Sequence, residues 1–297
     1  MTWIQVRVQT QKALCDAIEV HLLELGAVSI TYQDGADQPV LEPGVGETPL
    51  WDQLVLLALF SADTDTQALR KHLKNTLHDT DQISIDNLED RVWEREWEQH
   101  YQPIQCAPKL WICPSWCEPP DPDAINLLLD PGLAFGTGTH PSTAMCLSAL
   151  AQLPLEQTQV VDYGCGSGIL GIAMLALGAT HLIAVDNDPQ ALAATADNCA
   201  RNGIDHSRRL IISPDQDSSA IADASVDILV ANILAEPLIH LAPRLVRALK
   251  PGGILVLAGL IQSQVTDVSR PYSPDIELKI AESRGDWVCL TGTKSLA

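Results

Sequence analysis

Val160-Val161-Asp162-Tyr163-Gly164-Cys165-Gly166-Ser167-Gly168 passes from a short apolar run into three closely spaced glycines, and Ile169-Leu170 resumes the apolar pattern. The order is a buried strand, a turn of bare backbone and a helix. Glycine permits positive φ and lets a ligand approach the main chain at the carboxyl end of a strand. Dinucleotide sites use the same device, so the turn alone does not fix the ligand. Two details separate the readings. Asp162 stands two residues before Gly164, where a carboxylate can face a cation but repels a pyrophosphate. The spacing is GxGxG, with Ile169 where the dinucleotide fingerprint places its third glycine. S-adenosylmethionine, with an ammonium, a sulfonium and no phosphate, satisfies both. Asp186 closes the next strand, at the place where an acidic side chain accepts ribose hydroxyls. This suits either cofactor, and a helix cap is its structural alternative.

Strand-helix alternation continues on both sides of this turn. Strands are expected at Val160–Tyr163, Leu182–Asp186, Leu210–Ser213, Val226–Ala231 and Ile254–Leu260, and helices at Ser142–Gln152, Gly168–Leu177, Pro189–Asn202, Pro237–Leu249 and Gln262–Val268. A hairpin of Ile276–Glu282 and Trp287–Thr293 adds an antiparallel strand, giving an α/β Rossmann-like domain with a mostly parallel seven-stranded sheet. The first 90 residues read differently. Trp3–Val8, Gln11–Leu25, Val28–Tyr32, Gln53–Phe60, Thr66–Leu77 and Ile83–Leu88 follow the order β-α-β-β-α-β of a smaller ferredoxin-like α+β domain. The expected organisation is a front domain over 1–88, a connecting helix and linker over 89–107 and a catalytic domain over 108–297. Trp93 and Trp97 share one face of the connecting helix, for packing or for substrate contact.

Two further segments carry candidate chemistry. Asp227-Ile228-Leu229-Val230-Ala231-Asn232-Ile233-Leu234 ends a strand on an asparagine, whose amide oxygen can accept from an amine and aim its lone pair. Asparagine ahead of a helix is also a common cap, and Asp188 before Pro189 has the same ambiguity. Leu129-Asp130-Pro131-Gly132-Leu133-Ala134-Phe135-Gly136-Thr137-Gly138-Thr139-His140-Pro141 is a Gly-rich loop leading into a helix, either a cover over the cofactor or an ordinary loop capped by His140.

Composition narrows the class. The chain has 297 residues with 18 Lys/Arg against 38 Asp/Glu, a net charge of −20, which opposes the basic footprint of a nucleic-acid-binding protein. Residues 1–90 alone hold 5 Lys/Arg and 15 Asp/Glu, so a basic partner is the easier one to accommodate. The longest apolar run, Leu54–Phe60, falls far short of the roughly 20 residues of a membrane span, and the start lacks a signal-peptide pattern. A cytoplasmic protein is expected. The eight cysteines are scattered and read as reduced thiols. Cys106, Cys113 and Cys117 lack a CxxC pair or a histidine at finger spacing, so no metal is expected.

The segments Leu129–Pro141, Asp162–Leu170 and Ala231–Leu234 together resemble the bacterial ribosomal protein L11 methyltransferases of the PrmA type, and the resemblance extends over essentially the whole chain. It implies a class I S-adenosylmethionine-dependent methyltransferase that modifies lysine ε-amines and the N-terminal α-amine of the large-subunit ribosomal protein L11, taken as the free protein, with a front domain that recognises that substrate. It carries the cofactor contacts over to Thr143, Gly164, Asp186 and Asn232, with Asn232 also positioning the amine. Asp162, Gly166, Phe135 and Gly136 join them from the glycine turn and the Gly-rich loop. Tyr163 departs from the phenylalanine of the family pattern. The alternatives are a methyltransferase of another basic protein or of RNA, a nucleotide-dependent oxidoreductase, and a non-catalytic S-adenosylmethionine-binding module.

Overall fold

The computed structural model describes residues 3–36, 50–77, 82–88, 101–130, 136 and 138–296. They fall into two compact units, Met1–Glu96 and Trp97–Ala297. The expected connecting helix with Trp93 and Trp97 lies outside the described residues, as does the Gly/Pro-rich stretch 39–49.

In the first unit β1 (Trp3–Gln11), α1 (Cys15–Glu24), β2 (Ser29–Asp34), β3 (Gln53–Ser61), α2 (Thr66–Thr76) and β4 (Gln82–Leu88) form a sheet of order β2-β3-β1-β4. All three pairings are antiparallel. Period-two alternation sends Ile4, Val6 and Val8 of β1 to one face, where Leu54, Leu56, Ala58 and Phe60 of β3 join them. Cys15, Ile18 and Leu22 of α1 and Leu69 and Leu73 of α2 complete that same core, so both helices cover one face. Asp65 starts α2 by accepting the Gln67 and Ala68 N–H groups, which have no partner inside the helix. The ferredoxin-like arrangement expected from the sequence is the one observed.

The second unit opens with a three-stranded sheet that the sequence reading did not anticipate. β5 (Ile104–Ala107) pairs antiparallel with β6 (Leu110–Cys113), which pairs parallel with β7 (Ile125–Leu128). Each strand has four residues, too few for alternation to stand out. The stretch assigned to the connector therefore ends in a strand of this unit, with Cys106 buried in its core.

There follow α3 (Pro141–Leu150), β8 (Gln159–Tyr163), α4 (Ile169–Ala176), β9 (His181–Val185), α5 (Pro189–Arg201), β10 (Arg209–Ile212), α6 (Asp217–Ala220), β11 (Val226–Asn232), α7 (Ala235–Ala248), β12 (Leu249–Ile261), α8 (Val265–Ser269), β13 (Lys279–Arg284) and β14 (Trp287–Thr293). The sheet order is β10-β9-β8-β11-β12-β14-β13. The five strands from β8 to β12 are parallel to one another, and β14 runs antiparallel to both β12 and β13. Val160, Leu182, Ile228 and Val256 enter a core with α3, α4 and the small sheet; their neighbours Val161, Leu229 and Leu257 enter a second core with α7. Burial on both faces explains why these strands read as continuous apolar runs. From β8 the chain winds outward to β9 and β10, then returns to place β11 on the other side of β8. The reversal opens a crevice beyond the carboxyl ends of β8 and β11, where doubly wound sheets bind ligands.

Candidate functional site

Three groups of residues meet at the carboxyl ends of β8, β9 and β11. The turn after β8 has positive φ at Gly164 (79°), Gly166 (53°) and Gly168 (78°), a backbone that side-chain-bearing residues rarely adopt. Close approach adds a second constraint at two of them. A Cβ on Gly164 would lie 2.1 Å from Ile233 Cγ2, and one on Gly168 would lie 2.8 Å from Thr195 Cγ2. The glycines thus admit neighbouring side chains as well as bare backbone for a ligand.

Asp186, one residue past β9, accepts the Gly166 N–H at 2.8 Å on Oδ2 and the Asp188 N–H at 3.0 Å on Oδ1. It ties the glycine turn to the end of the neighbouring strand. A carboxylate has about four lone-pair sites, so both oxygens keep capacity for ribose hydroxyls. Asp188 is the N-cap of α5, accepting from Gln190 N at 2.8 Å.

Asn232 is the last residue of β11, and the structure decides against its role as a cap. Leu234 occupies the N-cap of α7 without a side-chain bond. The Asn232 amide instead donates from Nδ2 to Thr143 Oγ1 at 3.3 Å. Thr143 is fully buried in the first turn of α3. The Asn232 Oδ1 atom, also buried, has no hydrogen-bond partner. A buried acceptor without a partner costs free energy of about 1–3 kcal/mol, which a donor on a ligand would recover.

Asp162 presents a second such atom. It is wholly buried in the penultimate position of β8; its Oδ2 accepts the Gly171 N–H of α4 at 2.8 Å, and its Oδ1 has no partner. Burial pushes its pKa up to about 7, with the Gly171 hydrogen bond opposing and the Asp186 charge adding to the rise. The side chain anchors α4 beneath the glycine turn, and its unpaired oxygen is the part open to a cationic group.

Of the Gly-rich loop, Gly136 and Gly138 are described; Phe135 lies outside the described residues, with Pro131–Ala134 and Thr137. The Gly136 carbonyl accepts from Ser167 Oγ at 2.8 Å, joining this loop to the glycine turn. Asp130 holds the loop's beginning through Ser115 and Arg201. His140 is the N-cap of α3, its Nδ1 accepting the Ser142 N–H at 3.2 Å. Its ring meets Trp287 edge-on at 4.7 Å, and burial lowers its pKa, favouring the neutral imidazole.

Sequence reasoning missed Ser167, which ties the turn to the Gly-rich loop, and Thr195 and Asn198, which hold the turn's carbonyls from the neighbouring helix. The signal was present as polar residues at helical spacing, Thr195, Asn198 and Asn202, in an otherwise alanine-rich helix. All eight cysteines are free thiols, seven of them buried.

Comparison with known proteins agrees with this geometry. The family described as Ribosomal protein L11 methyltransferase (PrmA) matches residues 2–295. The chain belongs to that family. A ribosomal protein L11 methyltransferase of Teredinibacter turnerae is 49% identical over 295 residues, covering 99% of this chain and 97% of that protein. The one from Pseudomonas aeruginosa is 47% identical over 295 residues, 99% of each. Among solved structures, a ribosomal protein L11 methylase from Lactobacillus delbrueckii subsp. bulgaricus superposes with a TM-score of 0.60 at 29% identity, covering 66% of this chain and all of that one. The PrmA-family chain is thus an S-adenosylmethionine-dependent methyltransferase of the Rossmann-like class. Its residues fit that cofactor: a glycine cradle, two buried acceptors without partners and a carboxylate at the end of β9 suit a ligand with hydroxyls and positive charge.

Proposed function

We propose that this enzyme methylates ribosomal protein L11 at lysine ε-amines and at the N-terminal α-amine, acting on the free protein in the cytoplasm. The observation that carries the reading is Asn232 Oδ1, a buried acceptor without a partner at the carboxyl end of β11, oriented by Thr143. The names of relatives 47–49% identical over nearly the whole chain support the substrate. The net charge of −20 favours a basic protein over nucleic acid. Among the described residues no helix is long and apolar enough to cross a membrane.

S-adenosylmethionine, when bound, supplies an electrophilic methyl group for in-line displacement by an amine. Gly164, Gly166 and Asp186 would hold its nucleoside side, and Asp162, Thr143 and Asn232 its amino-acid side. The incoming lysine, with a reference pKa near about 10.4, reacts only as the neutral amine, and desolvation in a closed site lowers that value. The Asn232 amide oxygen accepts one amine hydrogen and so directs the lone pair, a contribution of proximity and alignment. His140 does not take the proton, because its Nδ1 lone pair already receives the Ser142 N–H.

The test is to incubate the full-length protein with methyl-labelled S-adenosylmethionine and free ribosomal proteins, in parallel with intact large subunits. Label on L11 lysines and the α-amine is expected, stronger with the free protein. Label on a different basic protein would leave the chemistry and replace the substrate; label on none would leave a cofactor-binding module.

A further inference from the structure

The glycine turn carries no side chains of its own at three of its five positions, yet it must present its N–H groups in fixed directions. Its carbonyls are held from the far side by one helix. Thr195 Oγ1 donates to Gly166 O at 3.0 Å, and Asn198 Nδ2 donates to Ser167 O at 2.8 Å. Thr195 is fully buried and Asn198 nearly so, so neither bond competes with bulk water. The Gly166 residue is clamped at both ends, its N–H by Asp186 and its carbonyl by Thr195. Four residues further along α5, at its C-cap, Asn202 donates to Asn198 O and Leu128 O, each at 2.8 Å, and accepts the Leu128 N–H at 2.8 Å. Leu128 ends β7, the strand that feeds the Gly-rich loop, and Arg201 reaches Asp130 at the beginning of that loop.

Thr195, Asn198 and Asn202 stand at i, i+3 and i+7, one face of a helix. That face touches both the glycine turn and the end of β7. A helix interior gains nothing from buried polar side chains unless they meet partners; besides Cys165 Sγ, 3.3 Å from Thr195 Oγ1, and the Asn198 carbonyl that Asn202 reaches within the helix, the partners of these three are main-chain atoms of the glycine turn and of the end of β7.

We propose that Thr195, Asn198 and Asn202 are positioning residues that hold the Gly164–Gly168 turn and the end of β7 in one register, so that cofactor affinity depends on them while the methyl-transfer step does not. The proposal rests on the reading of this crevice as the S-adenosylmethionine site. None of the three touches the reacting atoms. Loss of Thr195 frees the Gly166 carbonyl and loosens the residue whose N–H is fixed to Asp186; loss of Asn198 frees the Ser167 carbonyl.

The experiment measures S-adenosylmethionine binding by calorimetry, together with KM for the cofactor and kcat on free ribosomal protein L11, for the full-length wild type, Thr195→Val, Thr195→Ser and Asn198→Ala. Thermal unfolding of each reports folding. The result expected is about a tenfold rise in Kd and KM for Thr195→Val and Asn198→Ala, with kcat at saturating cofactor within about twofold of wild type. Thr195→Ser, which keeps the hydroxyl, returns Kd to within about threefold of wild type. Folded Thr195→Val and Asn198→Ala proteins that bind like wild type would overturn the stripe alone, as would a fall in kcat at constant KM. Should Thr195→Val not fold, a Thr195→Ser protein that folds but binds as poorly as Asn198→Ala overturns it equally. A wild-type protein that does not bind the cofactor would overturn the site reading instead.

Discussion

Asn232 at the end of β11 and Thr143 in the first turn of α3, separated by 89 residues of chain, meet through a side-chain hydrogen bond of 3.3 Å. The bond uses the amide's NH2 and leaves its buried oxygen without a partner, the acceptor that in the proposed mechanism takes the amine. Thr143→Val keeps the shape and removes the acceptor, so the amide is free to turn. Single-turnover methyl transfer should slow by about three- to tenfold, the equivalent of one neutral hydrogen bond, with Thr143→Ser near wild type. Asn232→Ala removes the alignment itself and should cost on the order of 100-fold. A folded Asn232→Ala enzyme at wild-type rate would remove this residue from the chemistry.

Asp186 holds the Gly166 N–H, and in the proposed site its remaining lone pairs would take the ribose hydroxyls. Asp186→Ala should therefore weaken S-adenosylmethionine binding by about 1.5–3 kcal/mol, the range for hydrogen bonds to a charged group. Calorimetry decides it. Asp186→Asn retains one acceptor and should fall between Ala and wild type.

Much of this site was legible because it lies where strands end. Val160–Gly168 announced a strand, a glycine turn and a helix, and each element is present within a residue or two. Asn232 was ambiguous for a physical reason: a strand-terminal asparagine caps a helix or faces a crevice according to where the next helix begins. That start, at Ala235, depends on packing. The small sheet over 104–128 escaped because its strands are short and interrupted by turns. The polar face of α5 shows as polar residues at helical spacing, but its role escaped because the turn and strand atoms it reaches are 29 to 74 residues away in sequence.

The wholly buried carboxyl of Asp162 titrates at about 7 in the folded chain, from a usual value of 3.8. Between those values the folded state binds the proton and the unfolded state does not. Stability therefore falls as pH rises from about 4 to about 7, and the penalty persists above that. Asp162→Asn can keep the Gly171 hydrogen bond on its Oδ1 while abolishing the titration. Urea unfolding at pH 5 and pH 8 should show the variant gaining about 2–3 kcal/mol on wild type between the two, since each pH step of one below the folded-state value is worth about 1.4 kcal/mol. A gap between the two proteins that does not change with pH would mean that Asp162 ionises as an ordinary carboxyl.

Tyr163, the last residue of β8, donates its hydroxyl to Asp217 Oδ2 at 3.0 Å. Asp217 is buried and also paired with Arg244 of α7, whose guanidinium reaches the Ile221 carbonyl at 2.8 Å. Removing one partner of a buried ion pair strands the other, so Arg244→Leu should cost about 3–5 kcal/mol in chemical denaturation. Tyr163→Phe forfeits one hydrogen bond of a still-paired carboxylate and should cost about 0.5–1.5 kcal/mol. With Arg244 gone the Tyr163 hydroxyl is the donor left to the stranded carboxylate, so the double variant should lose more than the sum of the two.

The boundary between the two units makes the final prediction. The sequence pattern alone places the start of the catalytic domain near Pro108, but β5 (Ile104–Ala107) pairs with β6 and contributes Cys106 to the core of the second unit. A fragment beginning at Trp97 keeps that strand, whereas one beginning at Pro108 leaves the edge of β6 unpaired and part of the core open. The Trp97 fragment should bind S-adenosylmethionine within about threefold of the full chain, since Thr143, Gly164, Asp186 and Asn232 are all retained. The Pro108 fragment should unfold at lower temperature, because lost pairing and burial lower the unfolding free energy. Methylation of ribosomal protein L11 by the Trp97 fragment should nonetheless be poor. In this proposal the acidic front domain binds the substrate and raises its effective concentration for the catalytic unit, and without it each amine meets the site only by free diffusion. Steady-state assays over a range of L11 concentration test this: KM for L11 should rise sharply while cofactor affinity holds. A folded Trp97 fragment that methylates L11 at the full-length rate would put substrate recognition in the catalytic unit.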